Sequence, residues 1–274
     1  MDTALSRPTG GRLGSGQIET IPVWASTGVT AVERGPGSCT HALDPAPWLL
    51  DDGLPLPGAL AVLADTTLGF AVAGALPPGR GLVTTHLHVE LRGRPPRGRL
   101  TCHGRLRALD GDEGMASGEL LDAEGSVFGW CALRSVALDA SPPDRRLPVP
   151  VDAGATWRSL DFRTLGTGER RVRLGLTAEP RFANGVGNLH GGVGVLLGER
   201  AAAEALRRVQ APGDRARPLV ELRAVYLRPL AADGGPLEYR AEVMHLGRRL
   251  AAARAELASL GEPPAVLVDT AYGP

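Results

Sequence analysis

The chain has 274 residues, enough for two domains at about 150 residues each. It is 43% hydrophobic and 22% charged, the ordinary balance of a globular protein, and it lacks the apolar run of about 18 residues that a membrane span needs. Its 30 basic residues, all Arg, offset 30 acidic ones. The zero balance gives no bulk electrostatic support for nucleic-acid binding, and any contact to a phosphate falls to an Arg fork.

Residues 1–16 are polar and Gly-rich, without the apolar core of a secretory signal, and read as a mobile tail. A first domain over 17–139 follows. A strand-like stretch over 35–44 leads through a Pro- and Gly-rich loop into an apolar helix over 57–76, which is rich in Ala and Gly. The run over 82–91 alternates, with Leu87, Val89 and Leu91 on one face and His86, His88 and Glu90 on the other. Two further strand runs occupy 99–109 and 125–138. Residues 140–153, ASPPDRRLPVPVDA, have no hydrophobic period and read as a linker.

The second domain, 154–274, repeats the layout. A strand run over 166–179 precedes a Gly/Asn-rich loop, a helix over 190–209 and four strand runs between 219 and 272. Each half is thus a strand, a long helix and an antiparallel meander, an α+β layer arrangement whose open sheet edges favour pairing with a second such unit. Fusion makes that pairing intramolecular. Cys39, Cys102 and Cys131 are odd in number and widely spaced, which argues against a disulfide framework and a zinc site and makes the cytoplasm the default compartment. They read as small buried hydrophobes. His86, His88 and His103 have no acidic or Cys partner at ligand spacing in the sequence and read as solvent-facing, so no metal is expected.

The chemistry concentrates in Asn184-Gly-Val-Gly-Asn-Leu-His190-Gly191-Gly192, followed by Glu199. Unpaired N–H groups at the helix start, with the positive end of its dipole, can polarise a carbonyl and hold an oxyanion, and glycines let a substrate approach the backbone. A carboxylate facing that point can attack the carbonyl or activate water. The run resembles the N-x-x-G-x-x-H-G-G…[D/E] signature of hotdog-fold acyl-CoA thioesterases, the PaaI-type and 4-hydroxybenzoyl-CoA thioesterases. The likeness covers most of the second half and, more weakly, most of the first.

The resemblance implies two tandem hotdog domains, each a long helix wrapped by an antiparallel sheet, paired as an intramolecular pseudo-dimer. It also implies a site shared between units, one giving the Asn and His-Gly-Gly helix start, the other an acidic residue and a Ser or Thr on the next strand. Glu199 lies nine residues after His190, as Asp65 lies nine after Leu56. Superposed on the acids, the first half has Leu50 for Asn184, Leu56 for His190, Pro57 for Gly191 and Gly58 for Gly192. Pro57 has no N–H to donate. The first half keeps Asp65 and, near the Ser/Thr position, Thr84 or Thr85, where the second half has Leu219.

One complete composite site is therefore expected. Asp65 acts as nucleophile or general base, the Gly191 N–H binds the carbonyl, Asn184 positions water or the carboxylate, His190 shapes the loop or contacts the thioester, and Thr84 positions water. Gly192 lines the substrate site. Glu199, Pro57 and Gly58 mark a second, vestigial site. Arg94 and Arg97 are candidates for gripping coenzyme A phosphates, against a plain solvated turn. No cofactor is expected beyond coenzyme A within the substrate. The partners are an acyl-CoA or acyl-carrier thioester, with no nucleic acid or membrane, and a second copy of the chain in a homodimer. Two other readings stay open: a non-catalytic acyl-CoA-binding protein, and a hydratase, for which no Asp/His pair stands at matching spacing.

Overall fold

The computed structural model describes residues 21–139, 160, 162–211 and 217–273; the tail over 1–16 and the linker over 140–153 lie outside them. A short helix α1 (Pro22–Thr27) opens the described chain, followed by strands β1 (Val29–Gly35) and β2 (Ser38–Leu43). A small ribbon, β3 (Leu50–Asp51) with β4 (Leu54–Pro55), leads into helix α2 (Ala59–Ala73). Strands β5 (Gly81–Leu91), β6 (Leu100–Asp110), β7 (Glu113–Leu121) and β8 (Val127–Leu138) complete the first half. The second half runs β9 (Arg163–Thr167), β10 (Arg171–Thr177), helix α3 (Gly191–Val209), β11 (Leu219–Tyr226), β12 (Pro236–Leu246), β13 (Ala251–Ser259) and β14 (Val266–Tyr272).

Twelve strands form one antiparallel sheet in the order β1-β2-β6-β7-β8-β5-β11-β14-β13-β12-β10-β9. Read inward from either edge, the order is the same in each half. The halves meet where β5 pairs with β11, Leu87 opposite Ala224 and Glu90 opposite Glu221. Leu87, Val89 and Leu91 are buried and His86 and Glu90 exposed, the alternation read from the sequence. Both strands carry a bulge near their start, between Thr84 and His86 and between Leu219 and Glu221.

Helix α2 is mostly apolar, with Asp65, Thr66 and Thr67 its polar residues, because it is enclosed over most of its length. Leu60, Leu63, Ala64 and Leu68 have no exposed surface. It packs on the sheet and, near its start, against α3. That crossing is reciprocal. A Cβ on Gly58 would lie 2.8 Å from Leu196 Cα, and one on Gly192 would lie 2.4 Å from Val62 Cα. Only glycine allows this backbone-to-backbone approach, so the glycine of each helix start sets the distance between the helices.

Besides α1 and the β3–β4 ribbon, the structure adds three strands of the main sheet to the sequence reading. β1 lacks alternation because all but its first residue lie outside the core. β7 does alternate, but its inward positions are Gly114, Ala116, Gly118 and Leu120, which carry little hydrophobic signal. They are small because α2 lies close: a Cβ on Gly114 would meet Val72 Cγ1 at 2.4 Å. β9 is short and mostly exposed. All three cysteines are buried and free.

Candidate active site

The loop after β10 is built to launch α3. Asn184 accepts the backbone N–H groups of Val186 (3.0 Å) and Asn188 (3.1 Å) on its side-chain oxygen. Its own N–H donates to Asn188 O at 2.7 Å, closing the turn, and Gly187 takes φ +84° within it. Leu189 N–H then donates to Leu230 O (2.7 Å) and His190 N–H to Phe182 O (2.9 Å), which fixes the point where the helix begins. Among the described residues no hydrogen bond links Asn184 to Asp65. The carboxamide oxygen of Asn184 is engaged in shaping the loop.

His190 is the N-cap of α3, its Nδ1 accepting from Gly192 N–H at 3.2 Å. With Nδ1 an acceptor, the proton of the neutral ring sits on Nε2, 3.2 Å from Thr66 Oγ1 on α2. Burial lowers the His190 pKa, opposed by the nearby Asp65 charge. The ring bridges the start of α3 and Thr66 of α2, a geometry that suits the loop-shaping role.

Asp65, 8% exposed, projects from α2 to the start of α3. Its Oδ1 accepts from Thr84 Oγ1 at 2.8 Å and its Oδ2 from Gly192 N–H at 3.0 Å. Gly191 lies against it: a Cβ there would be 2.8 Å from Asp65 Oδ2 and 3.1 Å from the Tyr226 ring. The Gly191 N–H, in the first turn of α3, has no hydrogen-bond partner among the described residues. A carboxylate with two fixed bonds, an unspent backbone donor beside it and a helix dipole behind both can bind a carbonyl oxygen and deliver a nucleophile or water to its carbon. Thr84 donates to the carboxylate, so it orients Asp65. Thr85 instead bonds the Arg134 carbonyl at 3.2 Å.

The symmetry-related location keeps a carboxylate, with apolar residues around the corresponding helix start. Glu199 is 2% exposed and its Oε2 has no hydrogen bond. Burial raises its pKa, while Arg200 and the nearby Tyr272 phenol pull it down. Around the corresponding helix start stand Leu56 (2% exposed), Pro57 and, on the strand, Leu219 (2% exposed). Gly58 is the N-cap of α2 and is spent on the helix crossing.

One sequence expectation needs correction, and another gains a structural setting. Arg94 and Arg97 follow the end of β5, ten and thirteen residues past Thr84, at the opposite end of that strand. Arg97 is occupied by the carbonyls of Gly53 (3.1 Å) and Asp52 (3.2 Å), in the ribbon ahead of α2. Both arginines therefore belong to the Glu199 end of the molecule. His88, in turn, does have acidic partners. Strand pairing brings Glu221 to 3.0 Å, a neighbour that spacing along one strand could not reveal, and Glu90, two residues on along β5, lies at 3.5 Å.

Tyr226 and Thr66 join the site although the sequence reading passed over them. Comparison of the halves holds the signal for Tyr226: aligning β5 and β11 on their bulges sets it against Leu91.

Residues 186–263 match the family described as the Thioesterase superfamily. The whole architecture recurs in solved structures. A tesB protein of Mycobacterium avium subspecies paratuberculosis superposes with a TM-score of 0.66 at 12% identity, over 92% of this chain and 98% of the other. An acyl-ACP thioesterase from Bacteroides thetaiotaomicron gives 0.55 at 14% identity, over 86% and 98%. A 12:0-ACP thioesterase from Umbellularia californica gives 0.60 at 12%, over 86% and 94%. No curated protein matches the chain significantly. The likeness to hotdog thioesterases read from the His-Gly-Gly run therefore stands: the second half carries the family's sequence pattern, and the chain has the hotdog-thioesterase fold. No helix among the described residues is long and apolar enough to cross a membrane.

Proposed function

We propose that the chain is a tandem double hotdog that hydrolyses an acyl-CoA or acyl-carrier thioester at one composite site between its halves. The observation that carries this reading is the meeting of Asp65 from the first half with Gly191 and Gly192 from the second. The matching strand order of the two halves and the near-complete coverage of single-chain thioesterase structures support the tandem arrangement.

The Gly191 N–H donates a hydrogen bond to the thioester carbonyl oxygen, and this bond gains strength as the oxygen becomes an oxyanion. Asp65, oriented by Thr84 and the Gly192 N–H, attacks the carbonyl carbon or removes a proton from the attacking water. Water's oxygen ends in the carboxylate product and the sulfur leaves as thiolate, taking up a proton to become the free thiol. His190, neutral and tied to Thr66, keeps the helix start in register. Asn184 sets the loop from which that start emerges. At the Glu199 end the donors are replaced by Leu56, Pro57 and Leu219, so that site is inactive.

A panel of acyl-CoA esters with a thiol-detecting reagent tests the reading, with free CoA release as the expected result. Binding without release would instead identify an acyl-CoA-binding protein. Acyl-carrier thioesters form the second arm of the panel, since two of the structural relatives are ACP thioesterases.

A further inference from the structure

We infer that the Tyr226 hydroxyl is a second hydrogen-bond donor to the substrate's thioester carbonyl, beside the Gly191 N–H; this rests on the thioesterase reading above. Tyr226 closes β11 where that strand runs beside the start of β5, which carries Thr84. Its ring lies over Gly191: a Cβ there would meet Tyr226 Cε1 at 3.1 Å and Cζ at 3.2 Å. The ring's polar end is thus at the reacting centre.

The hydroxyl is buried and has no hydrogen-bond partner among the described residues. A buried polar atom normally has one, and an orphan inside a binding site is explained by a ligand group that satisfies it. The hydroxyls of Tyr239 and Tyr272 are also orphaned, but Tyr239 meets Phe162 edge-on and Tyr272 stands by Glu199. Of the three, Tyr226 alone touches the Asp65–Gly191 pair. Burial and the Asp65 charge push its pKa well up, which keeps the phenol protonated as a donor.

The comparison of the halves gives independent support. Three of the groups at the Asp65 end have apolar counterparts at the Glu199 end, His190 against Leu56, Gly191 against Pro57 and Thr84 against Leu219, while Asp65 and Thr66 are matched by the polar Glu199 and Arg200. Tyr226 against Leu91 continues the series, as expected of a residue that serves one site and is not needed at the other. Packing alone would be met by any large apolar side chain, as Leu91 shows.

Tyr226→Phe keeps the ring and removes the donor. The expected result is a fall in kcat/KM of about 10²-fold, carried mainly by kcat, with an unchanged melting temperature. A second readout follows the carbonyl itself. Benzoyl-CoA labelled with ¹³C at the carbonyl is bound to Asp65→Asn protein, where turnover is slow, and its infrared stretch is compared with that in Asp65→Asn/Tyr226→Phe. The donor predicts a shift to lower frequency that shrinks in the double variant. Full activity in Tyr226→Phe together with an unaltered carbonyl stretch would overturn the inference while leaving the thioesterase reading intact. Absence of thiol release by the wild type would instead count against the thioesterase reading, and the infrared comparison would still decide the role of Tyr226.

Discussion

The Gly192 N–H donates to Asp65 Oδ2 at 3.0 Å, joining two residues 127 positions apart in the chain. The bond places a negative charge at the positive end of α3 and spends the second N–H of that helix on holding it there. The first N–H, that of Gly191, has no partner among the described residues. Two adjacent glycines thus have different tasks, and substitution separates them.

Gly191→Ala puts a methyl group 2.8 Å from Asp65 Oδ2 and 3.1 Å from the Tyr226 ring, so side chains must shift inside the site. The expected outcome is a loss of kcat of about 10²-fold with little change in stability. Gly192→Ala puts its methyl 2.4 Å from Val62 Cα and 2.5 Å from Ala61 O, backbone atoms of the neighbouring helix that cannot swing away. It should destabilise the fold by about 1–3 kcal/mol or more, read as a drop in melting temperature. Similar thermal losses in both variants would mean the two positions share a structural role.

Thr84→Val removes the donor to Asp65 Oδ1 and keeps the volume. The carboxylate then retains only the Gly192 bond, and kcat should fall about tenfold, near the cost of one charge-assisted bond of about 1.5 kcal/mol. Thr84→Ser should restore most of the rate. An inactive Ser variant would show that the methyl group, and not the hydroxyl, matters.

Glu199 gives a pH signature opposite to that of a salt-bridged acid. Burial raises its folded pKa above the ordinary 4.5. Its contribution to stability is intact below 4.5, where both states are protonated, and is lost as pH rises through the folded value. Glu199→Gln cannot ionise. The melting temperatures of wild type and Glu199→Gln should therefore lie close at pH 4 and diverge by pH 8, with the variant more stable. Divergence in the other direction would show that the carboxylate form is the one the fold accommodates.

Arg94→Ala and Arg97→Ala should leave KM for CoA esters within about twofold, because both residues lie at the Glu199 end of the molecule. A rise of about tenfold, 1.4 kcal/mol of binding, would place the nucleotide there after all.

Much of this arrangement is legible in the sequence because it rests on local rules. Alternation at Leu87, Val89 and Leu91 marks a strand with one buried face. His-Gly-Gly before an apolar run marks a helix start, and the matched spacing of Asp65 and Glu199 to their helix starts exposes the repeat and the apolar replacements at one end. What escaped is set by contacts between halves or by small residues. β7 turns Gly114, Ala116 and Gly118 inward, positions whose burial follows from the closeness of α2. Thr66 is one polar residue in an apolar helix until the second half supplies His190. Asn184 is polar and near the site, but only loop geometry shows that Val186 and Asn188 use its oxygen. Arg97 reads as an anion grip until the turn at Asp52 and Gly53 is seen to hold it.

The central claim is that one carboxylate serves one site. The direct measurement is kcat/KM for Asp65→Asn and Glu199→Gln on the same thioester, each near-isosteric with the residue it replaces. Asp65→Asn is predicted to lose about 10²–10⁴-fold, the range for removal of a general acid or base, and Glu199→Gln to stay within about twofold of wild type. Equal losses in the two variants would contradict the single-site account.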